Sequence, residues 1–453
     1  MDDAAEEIVL VVSPRSRGGV SLFDADLATS GTVERFHTEP GMSDAAGREL
    51  RRLGFRVLRE GPVTITIAGP RALIERMFRL PDDAGQPLLP AGRLAELIEG
   101  AVLPEPPEHC ASARPPAVDP AALSYPYLAL PGEVAAVLGA DRAHAAGVTG
   151  AGVLVAMIDS FFRHPFYELH GCTVRCPLLG PGASDPEVDT SGHGTGVAAN
   201  LFAVAPGAVL QPVKVGADSA GAIDAAVAAG ARLVTCSWGH DVDRPGARPA
   251  FIAPISAAIA RAVAGGVVVC VAAGNGATHC FPASHPDVIA CGGVMVERAG
   301  GRLEASDHAS SFVSALFAGR RVPDLCGLVG RDVGGRAPLL MLPVAPGSDL
   351  DAELSEPDRR GGPADGTSPD DGWAVFSGTS SAAPQVAGAA ALALQLRPGL
   401  RPSQVKELLT AHTRDVIGGT SGTGEPAEPG PDAATGAGLI DVASLARCLR
   451  QAN

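Results

Sequence analysis

The segment GWAVFSGTSSAAPQVAGAAAL, residues 372–392, is the part of this sequence on which the fold assignment depends. Its second half is almost wholly Ala, Gly and Val, which predicts a helix that crosses the interior of a domain. Proline is tolerated in the first turn of a helix, so Pro384 indicates a helix start near Ser380. A serine at that position lies at the positive end of the helix dipole, among backbone N–H groups without intrahelical partners. The position suits a helix cap, and equally a nucleophile whose transition state becomes negative.

The composition indicates a globular protein with more than one domain. The chain has 453 residues, of which 46% are hydrophobic and 19% charged. Its net charge of −15 argues against nucleic-acid and anionic-membrane partners. The sequence contains no run of about 18 uninterrupted apolar residues, so we expect no membrane span.

The N-terminus and the cysteines favour a reducing compartment. The first residues, MDDAAEEIVLVV, are acidic and lack the basic region of a secretory signal. Most of the nine cysteines stand in apolar contexts such as VVVC and VIAC, which is typical of buried thiols. We therefore expect a cytoplasmic protein.

The first 127 residues separate into two predicted regions. Residues 1–79 predict a small α+β unit, with a strand at EIVLVV, a helix at SDAAGRELRRLG and a hairpin at FRVLREGPVTITI. Residues 80–127 are rich in proline and predict a linker with one helix at GRLAELIEGAV.

Residues 128–453 predict an α/β domain. The short apolar segments VLVAMI, RLVTCSW, VVVCVAAG and DVIACGG alternate with helical segments. This alternation predicts a mostly parallel sheet between two layers of helices. In such sheets the reactive groups gather at the carboxyl ends of the strands.

Four residues have side chains suited to catalysis at such a sheet edge. Asp159 ends the segment GVLVAMID, Asn275 follows VVVCVAAG, and His193 lies in SGHGTG. Together with Ser380 they contain the groups of acyl transfer: a nucleophilic hydroxyl, an imidazole base, a carboxylate that orients the imidazole, and an amide that stabilises an oxyanion. Each residue alone also fits an ordinary role as a helix cap, core histidine or turn residue.

The motifs around these residues resemble those of subtilisin-like serine peptidases. The matching segments are GVLVAMIDS, GHGTG, SWG, AAGNG, FPASHPDVIACGG and SGTSSAAPQVAG, and the resemblance covers residues 128–447. It implies a subtilisin-like fold and a serine endopeptidase that works through an acyl-enzyme without a cofactor. Ser380 would attack, His193 would act as base and then acid, Asp159 would orient His193, and Asn275 would stabilise the oxyanion.

The same resemblance implies the residues that bind a protein or peptide substrate. One set would pair with the substrate backbone or, in the alternative interpretation, is an ordinary core strand end: Ser237, Trp238 and Gly239. A second set would line the pocket for the side chain before the scissile bond: Ala272, Ala273 and Gly274, with Cys280 and Phe281 at the far wall. Because none of these residues is acidic, we expect the pocket to prefer uncharged, apolar side chains.

The element order of residues 1–79 resembles the small ferredoxin-like pro-domains of this family and of the related sedolisins. It implies that the N-terminal unit is an intramolecular inhibitor. A sedolisin-like catalytic domain does not fit, because those enzymes lack the histidine of the HGT motif and have Asp where Asn275 stands.

The sequence departs from the family pattern at three points. Phe161 and Gly196 stand where the family usually has Gly and a second His, and the loop that holds calcium in many relatives is missing. We therefore expect no metal requirement.

Two other interpretations of the segment after Asp159 are disfavoured. The spacing of His164, His170, Cys172 and Cys176 matches no common zinc site. A disulfide between the two cysteines is not expected in a reducing compartment.

Two alternatives to peptide hydrolysis stay open. A silent relative would bind peptides in the same groove, and the intact set of four residues argues against it. A peptide ligase or macrocyclase would pass the acyl-enzyme to an amine instead of water, because the two nucleophiles compete for one intermediate.

Overall fold

The computed structural model describes residues 7–79, 86–105, 108–109, 127–242, 249–297, 301–330, 339–356 and 364–451, with residues 108–109 described by their backbone. Residues 110–126 of the predicted linker lie outside the described residues. Across the described ranges, no helix combines the length and apolar character needed to cross a bilayer.

The N-terminal unit is a four-stranded antiparallel sheet with three α-helices, the last of which has only four residues, and one 3₁₀ helix. Its elements are β1 (Glu7–Pro14), a 3₁₀ helix (Val33–Phe36), α1 (Met42–Leu53), β2 (Arg56–Glu60), β3 (Ile65–Pro70), α2 (Arg71–Met77), β4 (Phe78–Arg79), β5 (Leu89–Pro90), α3 (Leu94–Leu97) and β6 (Ile98–Val102). The sheet order β2-β3-β1-β6 and the βαββαβ connectivity are those of a ferredoxin-like unit.

The N-terminal unit extends beyond the predicted boundary at residue 79. The predicted linker helix at GRLAELIEGAV is instead the short α3 followed by β6, which pairs with β1 in the register Val11↔Val102 and Val12↔Ala101. The free edge of β1 favours strand over helix here, because pairing satisfies the backbone groups and buries Ile98 and Ala101. The unit therefore includes residues up to Val102.

The remaining elements begin with one short strand of the linker, β7 (Glu108–His109). The others follow in chain order: β8 (Tyr127–Ala129), α4 (Gly132–Leu138), α5 (Ala140–Ala145), β9 (Leu154–Asp159), α6 (Pro165–Leu169), β10 (Thr173–Val174), β11 (Leu178–Leu179), α7 (His193–Val204), β12 (Val209–Lys214), α8 (Ser219–Ala228), β13 (Leu233–Cys236), β14 (Trp238–Asp241), α9 (Ile252–Ala264), β15 (Val268–Ala272), β16 (Cys280–Phe281), β17 (Ile289–Val296), β18 (Leu303–Ala305), β19 (Phe312–Val313), β20 (Arg321–Val322), β21 (Leu325–Leu328), β22 (Leu339–Pro343), α10 (Asp349–Leu354), β23 (Trp373–Phe376), α11 (Thr379–Leu396), α12 (Pro402–Ala411), β24 (Thr413–Arg414), β25 (Leu439–Ile440) and α13 (Val442–Gln451).

A mostly parallel sheet forms the centre of the second domain. Its main path is β10-β12-β9-β13-β15-β17-β21-β25-β24, and β9, β12, β13, β15, β17 and β21 pair in parallel. Helices α7 and α11 belong to one hydrophobic cluster on the sheet, and α8 and α9 to another. The predicted α/β class, with a mostly parallel sheet between helices, is confirmed.

The helix start predicted from Pro384 is shifted. Helix α11 begins at Thr379, so Pro384 lies in its second turn instead of its first. A proline there cannot bond the carbonyl of Ser380, the residue four positions earlier. That carbonyl instead accepts a hydrogen bond from Ser237 Oγ at 2.8 Å. The break in the helical ladder thus connects α11 to the residue that follows β13.

The sheet of the N-terminal unit contacts α8 through polar side chains. Thr66 on β3 donates a hydrogen bond to Asp218, the N-cap of α8. Arg59 on β2 pairs with Asp224 on α8. The carboxylate of Asp224 also accepts two bonds of 2.6 Å from Arg261 on α9. The carboxylate is therefore shared by cations from both domains.

Helix α11 packs closely against α7 because it presents a glycine at the contact. A Cβ atom on Gly388 would lie 2.7 Å from Cβ of Val204 on α7, well inside van der Waals contact. The two helices carry His193 and Ser380 at their N-terminal ends. Their separation at Gly388 therefore contributes to the relative position of those residues.

We expect Gly388→Val to destabilise the protein by about 1–3 kcal/mol, because the added side chain overpacks the contact between α7 and α11. The measurement is the melting temperature in a Ser380→Ala background, which excludes self-digestion. Gly399→Val is the matched control, since a Cβ atom at Gly399 meets nothing within 4 Å. Equal melting temperatures for the two variants would contradict this account of the helix contact.

Candidate active site

Asp159 and His193 form a buried hydrogen-bonded pair. Asp159 is the last residue of β9 and His193 the first of α7. His193 Nδ1 lies 3.0 Å from Asp159 Oδ1 and 3.2 Å from Oδ2, and both side chains are buried. A carboxylate at Nδ1 holds the proton there and leaves Nε2, on the other side of the ring, as the basic nitrogen.

Asp189 fixes the start of the helix that carries His193. Its Oδ1 accepts hydrogen bonds from the backbone N–H groups of Gly192 and Ser191, at 2.8 and 3.1 Å. Its Oδ2 accepts a bond of 2.6 Å from Thr195 Oγ1. The sequence analysis missed this residue, although an Asp shortly before a helix start is a signal for such capping.

Ser380 and Ser237, the residue after β13, exchange two hydrogen bonds. Ser380 Oγ donates to the carbonyl oxygen of Ser237 at 3.1 Å, while Ser237 Oγ donates to the carbonyl of Ser380. Ser380 is the second residue of α11, where backbone N–H groups lack intrahelical acceptors. The hydroxyl is therefore held at the positive end of a long buried helix.

Asn275 has a fixed orientation because of Thr379. Its Oδ1 accepts hydrogen bonds from Thr379 N at 3.0 Å and from Thr379 Oγ1 at 3.2 Å. A backbone N–H can only donate, so these bonds identify the oxygen and direct Nδ2 away from Thr379. Nδ2 is buried and, among the described residues, has no hydrogen-bond partner. Thr379 was also missed from the sequence, although it directly precedes Ser380.

The structure brings the four predicted residues to one edge of the sheet. Strands β9, β13 and β15 are neighbours and run parallel, so the residues that end or follow them meet at their carboxyl ends. Helices α7 and α11 both begin at this edge, with His193 and Ser380 in their first turns. Asp159 bonds to His193, and Asn275 bonds to the neighbour of Ser380.

The strand that we expected to pair with a substrate backbone, β14, is paired with the linker. Trp238 and Gly239 begin β14, whose partners are β16 on one side and β7 on the other. The register with β7 is antiparallel, with Trp238↔His109 and Gly239↔Glu108. Trp238 is buried and its Nε1 donates to the carbonyl of Ile158 at 2.7 Å, which holds β14 to the strand of Asp159. The backbone of the linker thus occupies the edge expected to receive substrate.

Cys280, predicted at the far wall of the side-chain pocket, lies close to both Gly239 and Gly274. A Cβ atom on Gly239 would come within 2.0 Å of Cys280 Sγ, and one on Gly274 within 3.0 Å of Cys280 Cβ. The thiol is buried, as are Ala272 and Ala273 of the predicted pocket lining. The side chain of Cys280 therefore fills space between Gly239 and Gly274.

The neighbouring histidine of β14 carries no charge at neutral pH. Burial lowers the pKa of His240 to about 4. None of the five predicted pocket residues has a charged side chain: Ala272, Ala273, Gly274, Cys280 and Phe281.

Two departures from the family motifs have a packing explanation. Phe161 is fully buried, with its ring centroid 5.6 Å from that of Tyr167. A Cβ atom on Gly196 would lie 2.7 Å from the ring of Phe376, so this ring occupies the space that a side chain at position 196 would need. Both residues contribute to the core behind His193.

The residues considered for zinc do not form a metal-binding group in the described part of the chain. Nδ1 of His164 accepts a hydrogen bond from Phe166 N at the start of α6, and its ring packs against Trp373. Cys172 and Cys176 are free thiols. In the described ranges of the chain, no three His, Cys, Asp or Glu side chains form a group suited to a metal ion.

Comparisons with known proteins give one family. The model of the subtilase family, Peptidase_S8, matches residues 150–438. Subtilisin BL of Lederbergia lenta is 30% identical over 296 residues, which are 62% of this chain and 90% of that protein. Subtilisin E of Bacillus subtilis (strain 168) is 29% identical over 296 residues, which are 60% of this chain and 62% of that protein. The chain therefore spans less than two thirds of the length of subtilisin E.

Two solved structures have a similar fold. Fervidolysin from Fervidobacterium pennivorans, a keratinolytic enzyme related to subtilisin, matches 99% of this chain and 62% of its own, with a TM-score of 0.59 and 19% identity. A lanthipeptide protease matches 71% of this chain and 94% of its own, with a TM-score of 0.50 and 21% identity. At these identities the similarity concerns the fold alone. Because the family model matches more than half of this chain, the chain belongs to the subtilase family.

Proposed function

We propose that this protein is a serine endopeptidase that hydrolyses peptide bonds through an acyl-enzyme. The single observation that carries the proposal is the buried hydrogen bond between Asp159 and His193, at the sheet edge where α11 presents Ser380. If the Asp–His pair were only structural, it would not explain why a serine at a helix N-terminus and an oriented amide lie at the same edge of the sheet.

The reaction follows from the chemistry of these groups. Nε2 of His193 takes the proton of the Ser380 hydroxyl as the oxygen attacks the peptide carbonyl, and Asp159 stabilises the imidazolium that forms. The carbonyl oxygen becomes negative and is stabilised by Asn275 Nδ2 and by the N–H groups at the start of α11. His193 then gives its proton to the leaving amine, and water releases the acyl group by the same steps in reverse.

We propose that the residue before the scissile bond has a small, uncharged side chain. Cys280 fills space between Gly239 and Gly274, which leaves less depth for a long or aromatic side chain. The absence of charge among the predicted pocket residues disfavours Lys, Arg, Asp and Glu, because a buried charge without a partner is costly.

We further propose that the N-terminal unit inhibits the enzyme until the linker is cut. The pairing of Glu108 and His109 with β14 supports this, since a peptide substrate would need the same strand edge. From Glu108 to His109 the linker passes from Gly239 to Trp238, and thus toward Ser237. The carbonyl oxygen of Ser237 accepts the hydrogen bond from Ser380 Oγ. We therefore expect the first cut in one of the few peptide bonds that follow His109.

Ser380→Ala is expected to abolish turnover and to leave the chain uncut. The corresponding loss in subtilisin is about 10⁶-fold in kcat. Wild type and variant are incubated with a mixed peptide library, and the products and the chain itself are read by mass spectrometry. Products heavier than their parents would indicate ligation instead of hydrolysis. Cleavage by the variant above a few per cent of the wild-type rate would exclude Ser380 as the nucleophile.

Asn275→Ala is expected to lower kcat by about 10²–10³ with little change in KM, the loss known for an oxyanion donor of subtilisin. The amide would bond the oxyanion of the transition state, and its removal would leave ground-state binding unchanged. Steady-state kinetics on one peptide from the library provides the measurement. Asn275→Asp is the matched control: it keeps the size and the acceptor for Thr379 but has no N–H donor. A rise in KM at constant kcat would identify Asn275 as a ground-state binding residue instead.

A further inference from the structure

The turn that carries Asn275 is held by the segment that follows β18. Asn275 and Ala309 form an antiparallel bridge. Two backbone hydrogen bonds flank this bridge: Gly276 N to the carbonyl of His308 at 2.6 Å, and Ser310 N to the carbonyl of Gly274 at 2.9 Å. The position of the Asn275 main chain therefore depends on residues 308–310.

A short hairpin near the end of the chain packs directly on this segment. We call residues 420–427 the C-terminal hairpin. The N–H of Ser421 donates to the carbonyl of Glu425 at 2.8 Å and closes the hairpin. The N–H of Gly422 donates to the carbonyl of Ala309 at 2.7 Å. The hairpin thus holds the residue that forms the bridge to the Asn275 turn.

Three hydroxyl groups join the C-terminal hairpin to the same segment. Ser311 Oγ donates to Ser421 Oγ at 2.8 Å, and Thr423 Oγ1 donates to the carbonyl of Ser311 at 2.6 Å. The hydroxyls of Ser421 and Thr423 are 2.9 Å apart, and Ser421 is the donor because the proton of Thr423 is already used. Each hydroxyl therefore donates once, and the bonds form a ring. Ser311 and Ser421 are buried, so the loss of a partner in this ring is costly.

Gly422 has no room for a side chain because it touches the main chain of the Asn275 turn. A Cβ atom on Gly422 would lie 2.5 Å from the carbonyl oxygen of Gly276 and 3.0 Å from its carbonyl carbon. Ser310 Oγ donates to the same oxygen at 2.9 Å, so the peptide group is held from a second side. An added methyl group would therefore displace the peptide that directly follows Asn275.

We propose that Gly422 is a positioning residue for the oxyanion donor, and that the C-terminal hairpin determines where Asn275 Nδ2 lies. Thr379 fixes the amide group of Asn275, and the hairpin fixes its main chain through Ala309 and Gly276. The inference rests on the proposed function, in which Nδ2 stabilises the oxyanion. A small displacement of such a donor costs much of its effect, because the hydrogen bond must be short at the place that the oxyanion takes.

The first test compares Gly422→Ala with Gly418→Ala in steady-state cleavage of one peptide. Gly418→Ala is the matched control, since a Cβ atom there meets no atom closer than 3.5 Å. We expect Gly422→Ala to lower kcat about 10-fold with little change in KM, and Gly418→Ala to change neither. In an Asn275→Ala background, Gly422→Ala should cost less than about 2-fold more, because the donor that it misplaces is already absent.

A wild-type kcat in Gly422→Ala would overturn the proposal, as would an equal loss with and without Asn275. An inactive wild-type protein would contradict the proposed function instead, and the exchange measurement described below then tests the hairpin contact by itself.

The hydroxyl ring is tested by Thr423→Val, with Thr423→Ser as the matched conservative variant. Valine keeps the shape of threonine but leaves the carbonyl of Ser311 without its donor. We expect Thr423→Val to lower kcat about 5-fold, and Thr423→Ser to recover most of the loss. Thr423→Val also serves as the second variant in case Gly422→Ala does not fold. Equal kcat values for the two Thr423 variants would overturn the role given to the hairpin.

Amide hydrogen exchange tests the same contact without any need for activity. The variants are made in a Ser380→Ala chain, and exchange is measured by mass spectrometry over the peptide that contains residues 271–281. Gly422→Ala disturbs the bonds that flank the bridge, so we expect exchange in this peptide to be about 10-fold faster than in Gly418→Ala. Equal exchange in the two variants would show that the hairpin does not hold the turn and would overturn the proposal.

Discussion

The close packing of α7 against α11 determines where the chemistry of this protein is assembled. Both helices lie on one face of a parallel sheet, and their contact is close because α11 presents Gly388 to Val204. The Ala- and Gly-rich composition of α11 follows from this position, since larger side chains would separate the helices. Both N-terminal ends lie at the carboxyl edge of the sheet, where His193 bonds Asp159 and Asn275 bonds Thr379, the neighbour of Ser380.

The polar contacts at this edge form one connected structure. Asp189 holds the start of α7, Thr379 holds Asn275, and Ser237 bonds α11 at the carbonyl that Pro384 leaves without a helical partner. Each contact restricts a group that the proposed mechanism needs in one orientation. Pre-organised donors of this kind stabilise a developing negative charge without reorganisation during the reaction. The structure therefore gives a physical reason for residues that the family motifs contain beyond the four with proposed chemistry.

The sequence was sufficient for features that depend on local pattern and on motif. The alternation of apolar strands and helices predicted the sheet, and the positions of Asp159, His193 and Asn275 at strand or helix ends predicted that they would meet. Features that depend on long-range pairing were missed. The segment LIEGAV has helical spacing, yet β6 forms there because the edge of β1 lies 84 to 91 residues earlier in the chain and is open. Likewise, no local signal assigns Leu27 or Phe36 to a core built mainly from residues beyond position 155.

The N-terminal unit contacts the catalytic domain in three chemically different ways. Its sheet uses Arg59 and Thr66 against carboxylates of α8, its linker pairs with β14 by backbone, and residues 15–41 contribute apolar side chains. The proposed inhibition depends on the second of these contacts, the pairing of the linker with β14.

The central claim is that Ser380 is an activated nucleophile, and covalent labelling tests it most directly. The cleaved protein is treated with a fluorophosphonate, digested, and mapped by mass spectrometry, with His193→Ala as the control that keeps the serine but removes its base. The account predicts one labelled residue, Ser380, in the wild-type protein and almost no label in the control. A peptidase-active protein that is labelled at another residue, or equal labelling of Ser380 without His193, would contradict it.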